Sequence, residues 1–210
     1  MTTIYITRHG ETRFNIEKRF QGWIDSELTE TGIANARALG ERLLDIDIHR
    51  IYSSPLKRAK DTAEIIRGSR PIELIDEDGL KEMYFGKWEG LTYSSAEERS
   101  GIKVSTFFKN LPSYTAEDGE AFQDFSDRIA NTFKKILSAN EGKTILIVTH
   151  ALPVKLLIAL TSNMGAENIG QVPYVHQASL TEIHYEMGEY KPILIGDISH
   201  FKERNLTPWL

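Results

Sequence analysis

Two histidines in this chain each follow directly on an apolar, β-branched run. His9 ends Thr2-Thr3-Ile4-Tyr5-Ile6-Thr7-Arg8-His9, and His150 ends Thr144-Ile145-Leu146-Ile147-Val148-Thr149-His150. In an open α/β sheet ligands bind where strands end, so both imidazoles are expected on one sheet edge. A third strand exit, Ser53-Ser54-Pro55, opens a helix with Arg58 on its first turn. Helix N-termini favour anions, and the planar guanidinium fork of Arg8 or Arg58 matches phosphate oxygens. Such a set suits phosphoryl transfer, which is mostly positioning plus stabilisation of charge on the equatorial oxygens. A histidine nucleophile needs its attacking nitrogen unprotonated and its other nitrogen held by an acceptor. Arg8 and Arg58 beside His9 would lower its pKa towards the neutral form. A leaving alcohol also needs a proton. Glu82 is the candidate acid, in the Gly- and aromatic-rich stretch Leu80-Lys81-Glu82-Met83-Tyr84-Phe85-Gly86-Lys87-Trp88-Glu89-Gly90. Residue type alone leaves Glu11 and Glu89 as alternatives.

The elements that must position these groups alternate. Strands are expected over residues 2–7, 48–53, 71–75 and 144–149, the third near an edge because of Pro71. Between them lie amphipathic helices. One covers residues 30–44, with Thr29 or Thr31 as N-cap and Ile33, Ala36, Gly40, Leu43 and Leu44 on one face. A second starts at Ser54-Pro55, read as N-cap and first-turn proline, and runs through Ala63 to Ile66. A third carries Phe122, Phe125, Ile129, Phe133 and Ile136, and a fourth covers residues 152–160. Residues 179–186 and 190–195 flank Met187-Gly188-Glu189 as a hairpin. Residues 91–120 lose periodicity and read as a partly helical cap insertion over the site. The tail from Gly196 has no clear period. This order predicts an α/β protein, a three-layer α/β/α sandwich on a mainly parallel central sheet, in one domain spanning residues 1–210.

Composition narrows the partners. Of 210 residues, 40% are hydrophobic and 26% charged, which is ordinary for a globular chain. The net charge of −5 gives no global field for nucleic acid or an anionic membrane, so an anion site must be built locally. With no cysteine, disulfides, thiolate nucleophiles and thiolate-bound metals are excluded. That suits a cytoplasmic location, as does the lack of a basic n-region before the short apolar run at the N-terminus. No run is long enough to span a bilayer. The expected partner is a small phosphomonoester, with no nucleic acid or membrane, and a homodimer is left open. Asn205-Leu206-Thr207 matches a glycosylation sequon and is read as chance.

At this point the chain resembles the histidine phosphatase superfamily, the phosphoglycerate mutase-like family. Arg8-His9-Gly10-Glu11-Thr12 is similar to its signature. Asn15, Arg19-Phe20-Gln21-Gly22, Asp25 and Leu28-Thr29-Glu30-Thr31-Gly32 resemble its N-terminal block. Ser53-Ser54-Pro55-Leu56-Lys57-Arg58-Ala59 with Thr62-Ala63 resembles its second arginine block. Glu82 with Phe85-Gly86 and Trp88-Glu89-Gly90 resembles the acid block, and Val148-Thr149-His150 the second histidine block. Four blocks in family order are far more specific than one Arg-His-Gly. The resemblance implies a phosphoglycerate mutase-like fold and metal-free chemistry. It makes His9 the phosphorylated nucleophile, Arg8, Arg58 and His150 the phosphate pocket, and Glu82 the acid and later the base. It brings Asn15, Gln21 and Gly22 near the phosphate or substrate. Ala151 stands where many members have glycine, and its backbone N–H is counted with the phosphate-binding set.

The resemblance leaves a choice of reaction. A phosphatase, of the broad-specificity branch, would let water take the phosphoryl group. A phosphoglycerate mutase would return it to a hydroxyl and would need 2,3-bisphosphoglycerate as cofactor; a phosphatase would need none. Mutases typically follow the acid with Arg-His-Tyr-Gly, where this chain has Met83-Tyr84-Phe85-Gly86, and it lacks their proline-rich insertion. Both points favour hydrolysis. A non-catalytic phosphate-binding module is a third reading, disfavoured because His9 and Glu82 are both retained. Phe107, Phe108 and Tyr114 are read as core, Lys57 and Lys60 as solvated, and His49, His176, His184 and His200 as structural, with no metal-site spacing.

Overall fold

A computed structural model of the chain describes residues 1–202; the sequon at Asn205 lies outside them. Six strands form one sheet: β1 (Thr2–Arg8), β2 (Arg50–Ser53), β3 (Glu73–Asp76), β4 (Thr144–Thr149), β5 (Leu180–Glu186) and β6 (Glu189–Asp197). Their spatial order is β3-β2-β4-β1-β5-β6. The first four of that order run parallel; β5 and β6 add an antiparallel hairpin at the far edge. The helices are α1 (Arg13–Ile16), α2 (Glu30–Arg42), α3 (Lys57–Arg67), α4 (Tyr93–Ser100), α5 (Val104–Lys109), α6 (Phe122–Ser138) and α7 (Ala151–Thr161).

Side chains alternate across a strand, so each central strand feeds two cores. Ile4 and Ile6 of β1 and Ile145 and Ile147 of β4 pack with Phe125, Ile129 and Phe133 of α6 and Leu156 of α7. Tyr5, Leu146 and Val148 turn to the other face, against Leu39 of α2 and Ala59, Ala63 and Ile66 of α3. The sheet is therefore covered on both faces, as the alternating elements predict. Residues on β1 and β4 are almost wholly buried, which explains why both read as continuous apolar runs.

Several local expectations need correction. The third strand is an edge strand, but it begins at Glu73, two residues after Pro71. Thr29 is the α2 cap, accepting from the Gly32 N–H, and Leu44 lies beyond the helix and is exposed. The helix expected to start at Ser54-Pro55 starts at Lys57. Its cap is remote: the Asp25 carboxylate accepts from the N–H groups of Lys57 and Arg58. The hairpin turns through Met187 and Gly188, both at positive φ, which is the geometry of a tight two-residue connection. Residues 91–120 hold α4, α5 and a one-turn 3-10 helix, Leu111–Ser113. Among the described residues no helix is long and apolar enough to cross a membrane.

Candidate active site

The two histidines are tied together through the sheet. Strands β1 and β4 are adjacent and parallel, with Arg8 opposite Thr149. The His9 N–H donates to the Thr149 carbonyl at 2.8 Å, and the two imidazole centroids stand 5.3 Å apart. A second cross-link comes from β2, where the Ser54 N–H donates to Val148 O at 3.0 Å. Three strand ends are thus held in one hydrogen-bonded frame, and the reactive groups hang from it.

The His9 ring has a defined tautomer. Nδ1 lies 2.7 Å from the Gly10 carbonyl, which can only accept, so Nδ1 carries the proton. Nε2 keeps its lone pair. Burial holds the His9 pKa well below the ordinary histidine value, and Arg58 and then Arg8 push the same way. The arginines were expected to do this; burial does more. The His150 ring is tied to the second strand exit: its Nε2 is 2.7 Å from Ser54 Oγ, which also accepts from the Leu56 N–H. With the serine O–H donating to Nε2, Nδ1 carries the imidazole proton, as in His9. Burial, with Arg58 behind it, keeps this ring neutral too.

Both arginines are anchored by carbonyls. Arg58 is buried, and its guanidinium donates to Gly22 O, Ile24 O and Asp25 Oδ1 at 2.7, 2.9 and 2.9 Å. Arg8 donates to Val175 O at 2.9 Å and to the Tyr174 hydroxyl at 3.3 Å. After these bonds, Arg8 Nε, Arg58 Nε and His150 Nδ1 remain buried with no hydrogen-bond partner. Such orphaned donors are costly unless an acceptor meets them. Arg8 and Arg58 line the cleft with His9, and His150 stands beside His9; a tetrahedral oxyanion is the chemistry that fits such donors.

Glu82 lines the same cleft and is buried. Burial raises its pKa above the usual carboxylate range, against the opposing pull of the Met83 N–H and Arg58. The other two acid candidates are occupied elsewhere. Glu11 accepts from the Thr29 hydroxyl at 2.7 Å, and Glu89 accepts from the N–H groups of Trp23 and Phe85. Glu89 also explains Gly22: that residue has φ +54°, and a Cβ there would lie 2.0 Å from Glu89 Oε1.

Asn15, Gln21, Gly22 and Ala151 all line the cleft as well. The Asn15 carboxamide oxygen accepts from the Thr12 N–H, closing the one-turn α1. Gln21 Oε1 accepts from the Thr12 hydroxyl, so both amides are oriented through one threonine. Ala151 is the first residue of α7. Phe107 is a core residue as expected, and Tyr114 and Phe108 are partly buried against the core; Phe108 also forms a wall of the cleft. Met83 is buried in the core and brings no cation to the cleft. Among the described residues no group of three or more His, Cys, Asp or Glu is placed to hold a metal ion.

Sequence reasoning missed the residues that hold the acid in place. Arg128 of α6 donates to the carbonyls of Gly79, Lys81 and Glu82 and pairs with Glu120 at 2.7 Å. Glu120 accepts in turn from the Tyr84 N–H. The half-exposed Trp23 donates its indole N–H to Glu82 O at 2.9 Å and packs on Tyr84. Thr149 Oγ1 donates to Leu80 O at 2.6 Å. Nothing in residue type or spacing marks Arg128 or Trp23; Thr149 lies in the second histidine block, but only tertiary contact shows its bond to Leu80.

Comparison with known proteins agrees with this geometry. The family model described as histidine phosphatase superfamily (branch 1) matches residues 4–198. The solved structure of Bacillus stearothermophilus YhfR superposes with a TM-score of 0.92 at 38% identity, covering 96% of this chain and 100% of that one. A metal-independent phosphoserine phosphatase of Arabidopsis thaliana is 34% identical over 84% of this chain and 76% of its own length. A phosphoglycerate mutase structure from Bacillus anthracis superposes with a TM-score of 0.80 at 28% identity, covering 95% of each chain. With a family match over nearly its whole length, the chain belongs to the histidine phosphatase superfamily.

Proposed function

We propose that the chain is a phosphomonoesterase that hydrolyses small phosphorylated metabolites through a phosphohistidine on His9. The observation that carries this reading is a set of buried, unpartnered nitrogens, Arg8 Nε, Arg58 Nε and His150 Nδ1, on residues grouped with a histidine whose Nε2 is unprotonated. Those donors hold the phosphoryl oxygens. The Nε2 lone pair attacks phosphorus, and the ester P–O bond breaks. Burial raises the Glu82 pKa and so favours its protonated form, and that proton goes to the departing alkoxide. Glu82, now a carboxylate, takes a proton from water as the water oxygen attacks phosphorus. The N–P bond breaks, inorganic phosphate leaves, and His9 and Glu82 return to their starting states. The route calls on no metal or cofactor, in keeping with the name of the Arabidopsis relative.

The test is product analysis with p-nitrophenyl phosphate and with 3-phosphoglycerate, the latter with and without 2,3-bisphosphoglycerate. Free phosphate without interconversion of the phosphoglycerates is the expected result. Formation of 2-phosphoglycerate that depends on the bisphosphate, with little free phosphate, would make the protein a mutase. His9→Ala should abolish turnover with the far-UV circular dichroism unchanged. Retained turnover would remove the covalent step.

A further inference from the structure

Beyond the reaction centre the cleft opens into an outer compartment of about 90 Å3, bounded by Lys155, Tyr174 and Gln177. The two compartments share Arg8, Tyr93, Phe108 and Leu152 as walls. This compartment is therefore a place where the alcohol carrying the phosphoryl group can lie. Three of its residues offer donors. Lys155 stands one turn beyond Ala151 on the same face of α7, about 6 Å along the axis. It is partly buried, and among the described residues no carboxylate pairs with it. Its desolvation is uncompensated, which lowers its pKa below the usual lysine value. Gln177 is buried, and its Nε2 has no hydrogen-bond partner. The Tyr174 oxygen accepts from Arg8, so its own O–H is left to donate. No Asp or Glu lines this compartment.

An unpaired ammonium, an orphaned amide N–H and a phenol proton in one small compartment call for an acceptor-only group. A carboxylate meets all three, and its single negative charge matches the single uncompensated lysine. A substrate ammonium in the same place would face Arg8 and Lys155 with no carboxylate to offset them. We propose that this compartment is the leaving-group subsite, and that Lys155 and Gln177 select phosphomonoesters whose alcohol carries a carboxylate and no ammonium. On this basis phosphorylated hydroxy acids are preferred over phosphorylated amino acids and over neutral alcohols. The inference rests on the phosphatase reading above and narrows its substrate class.

The experiment compares kcat/KM for phosphate release from 3-phosphoglycerate, phosphoserine, glycerol 3-phosphate and p-nitrophenyl phosphate. The wild-type chain should favour 3-phosphoglycerate over phosphoserine and glycerol 3-phosphate by about tenfold or more, the scale of one charge-assisted hydrogen bond. Lys155→Met should collapse that ratio to less than about threefold, chiefly through KM, and Lys155→Arg should keep most of it. Gln177→Leu should lower the ratio in the same direction. A wild-type enzyme that turns over phosphoserine or glycerol 3-phosphate as well as 3-phosphoglycerate would overturn the proposal while leaving the phosphatase reading intact. So would a Lys155→Met variant slowed equally on all four. Failure to hydrolyse p-nitrophenyl phosphate at all would instead overturn the phosphatase reading, and the subsite with it.

Discussion

At the scale of single residues, burial shifts the pKa values of His9 and Glu82 in opposite directions, His9 down and Glu82 up, and both shifts favour the neutral forms that the proposed base and acid need. The pH dependence follows. As pH falls, kcat/KM should decline only below the ordinary histidine range, where His9 finally takes a proton. As pH rises, it should decline above the ordinary carboxylate range, where Glu82 loses its proton. In Glu82→Gln the alkaline limb should vanish. The same variant should slow alkyl phosphates by about 100-fold or more, the usual contribution of a general acid. It should slow p-nitrophenyl phosphate far less, because that leaving group needs little protonation. Equal slowing of both would move the acid role to another residue. Arg8, His9, Arg58 and His150 were legible in the sequence because each lies within a few residues of a strand end. Glu82 was harder, since Glu11 and Glu89 share its type and its surroundings. Only their hydrogen bonds to Thr29, Trp23 and Phe85 separate them from it. Ser54 was misread for a similar reason: its hydroxyl faces His150, and a carboxylate remote in sequence caps the helix.

At the scale of elements, the acid is carried by a loop and made rigid by a helix. Arg128 of α6 gathers three carbonyls of that loop, those of Gly79, Lys81 and Glu82, and is itself held by Glu120. Arg128→Ala should release the loop and lower kcat on alkyl phosphates by about 10- to 100-fold, the cost of misplacing a reacting group by roughly an ångström. Because Arg128 acts through Glu82, the alkaline limb of the pH profile should shift with it. Arg128→Lys should not restore activity, since a point charge cannot serve a fork of carbonyls and a carboxylate together. An unshifted alkaline limb in Arg128→Ala would show that Arg128 matters only for folding. The amphipathic period of α6 was readable, but its polar residues are indistinguishable by type. A pattern of hydrophobic positions says which face is buried and nothing about what a polar side chain at its margin will reach. The same limit applies to Lys155 on α7, whose surroundings are set by the loop before β5 and by Phe108.

At the scale of the whole molecule, the architecture was legible because period-2 and period-3.6 segments alternate, and that pattern admits few folds. Residues 91–120 were least legible, since their helices are short and their aromatics divide between core and cleft. The fold also carries a stability cost for its chemistry. His9 and His150 are buried as neutral rings, with pKa values depressed by burial. Unfolding frees them to take up protons once pH drops below about 6.5, so the stability tied to their neutrality is present above that pH and lost below it. Each histidine contributes a slope of at most about 1.4 kcal/mol per pH unit. The thermal midpoint should therefore fall between pH 7 and pH 5, with a shallower fall in His9→Ala. A midpoint independent of pH across that interval would mean that the buried imidazoles are not held neutral.

Trp23 gives the acid loop an optical handle. Its indole N–H is bonded to the peptide carbonyl of Glu82, its ring rests on Tyr84, and Lys81 stands 5.1 Å from its centre. Half exposed to solvent, it shares the polarity changes that accompany charging or discharging of the adjacent carboxyl. Of the tryptophans among the described residues, Trp23 is the one bonded to the backbone of the proposed proton donor, so a change in emission on adding phosphate that is lost in Trp23→Phe is the expected report of anion entry.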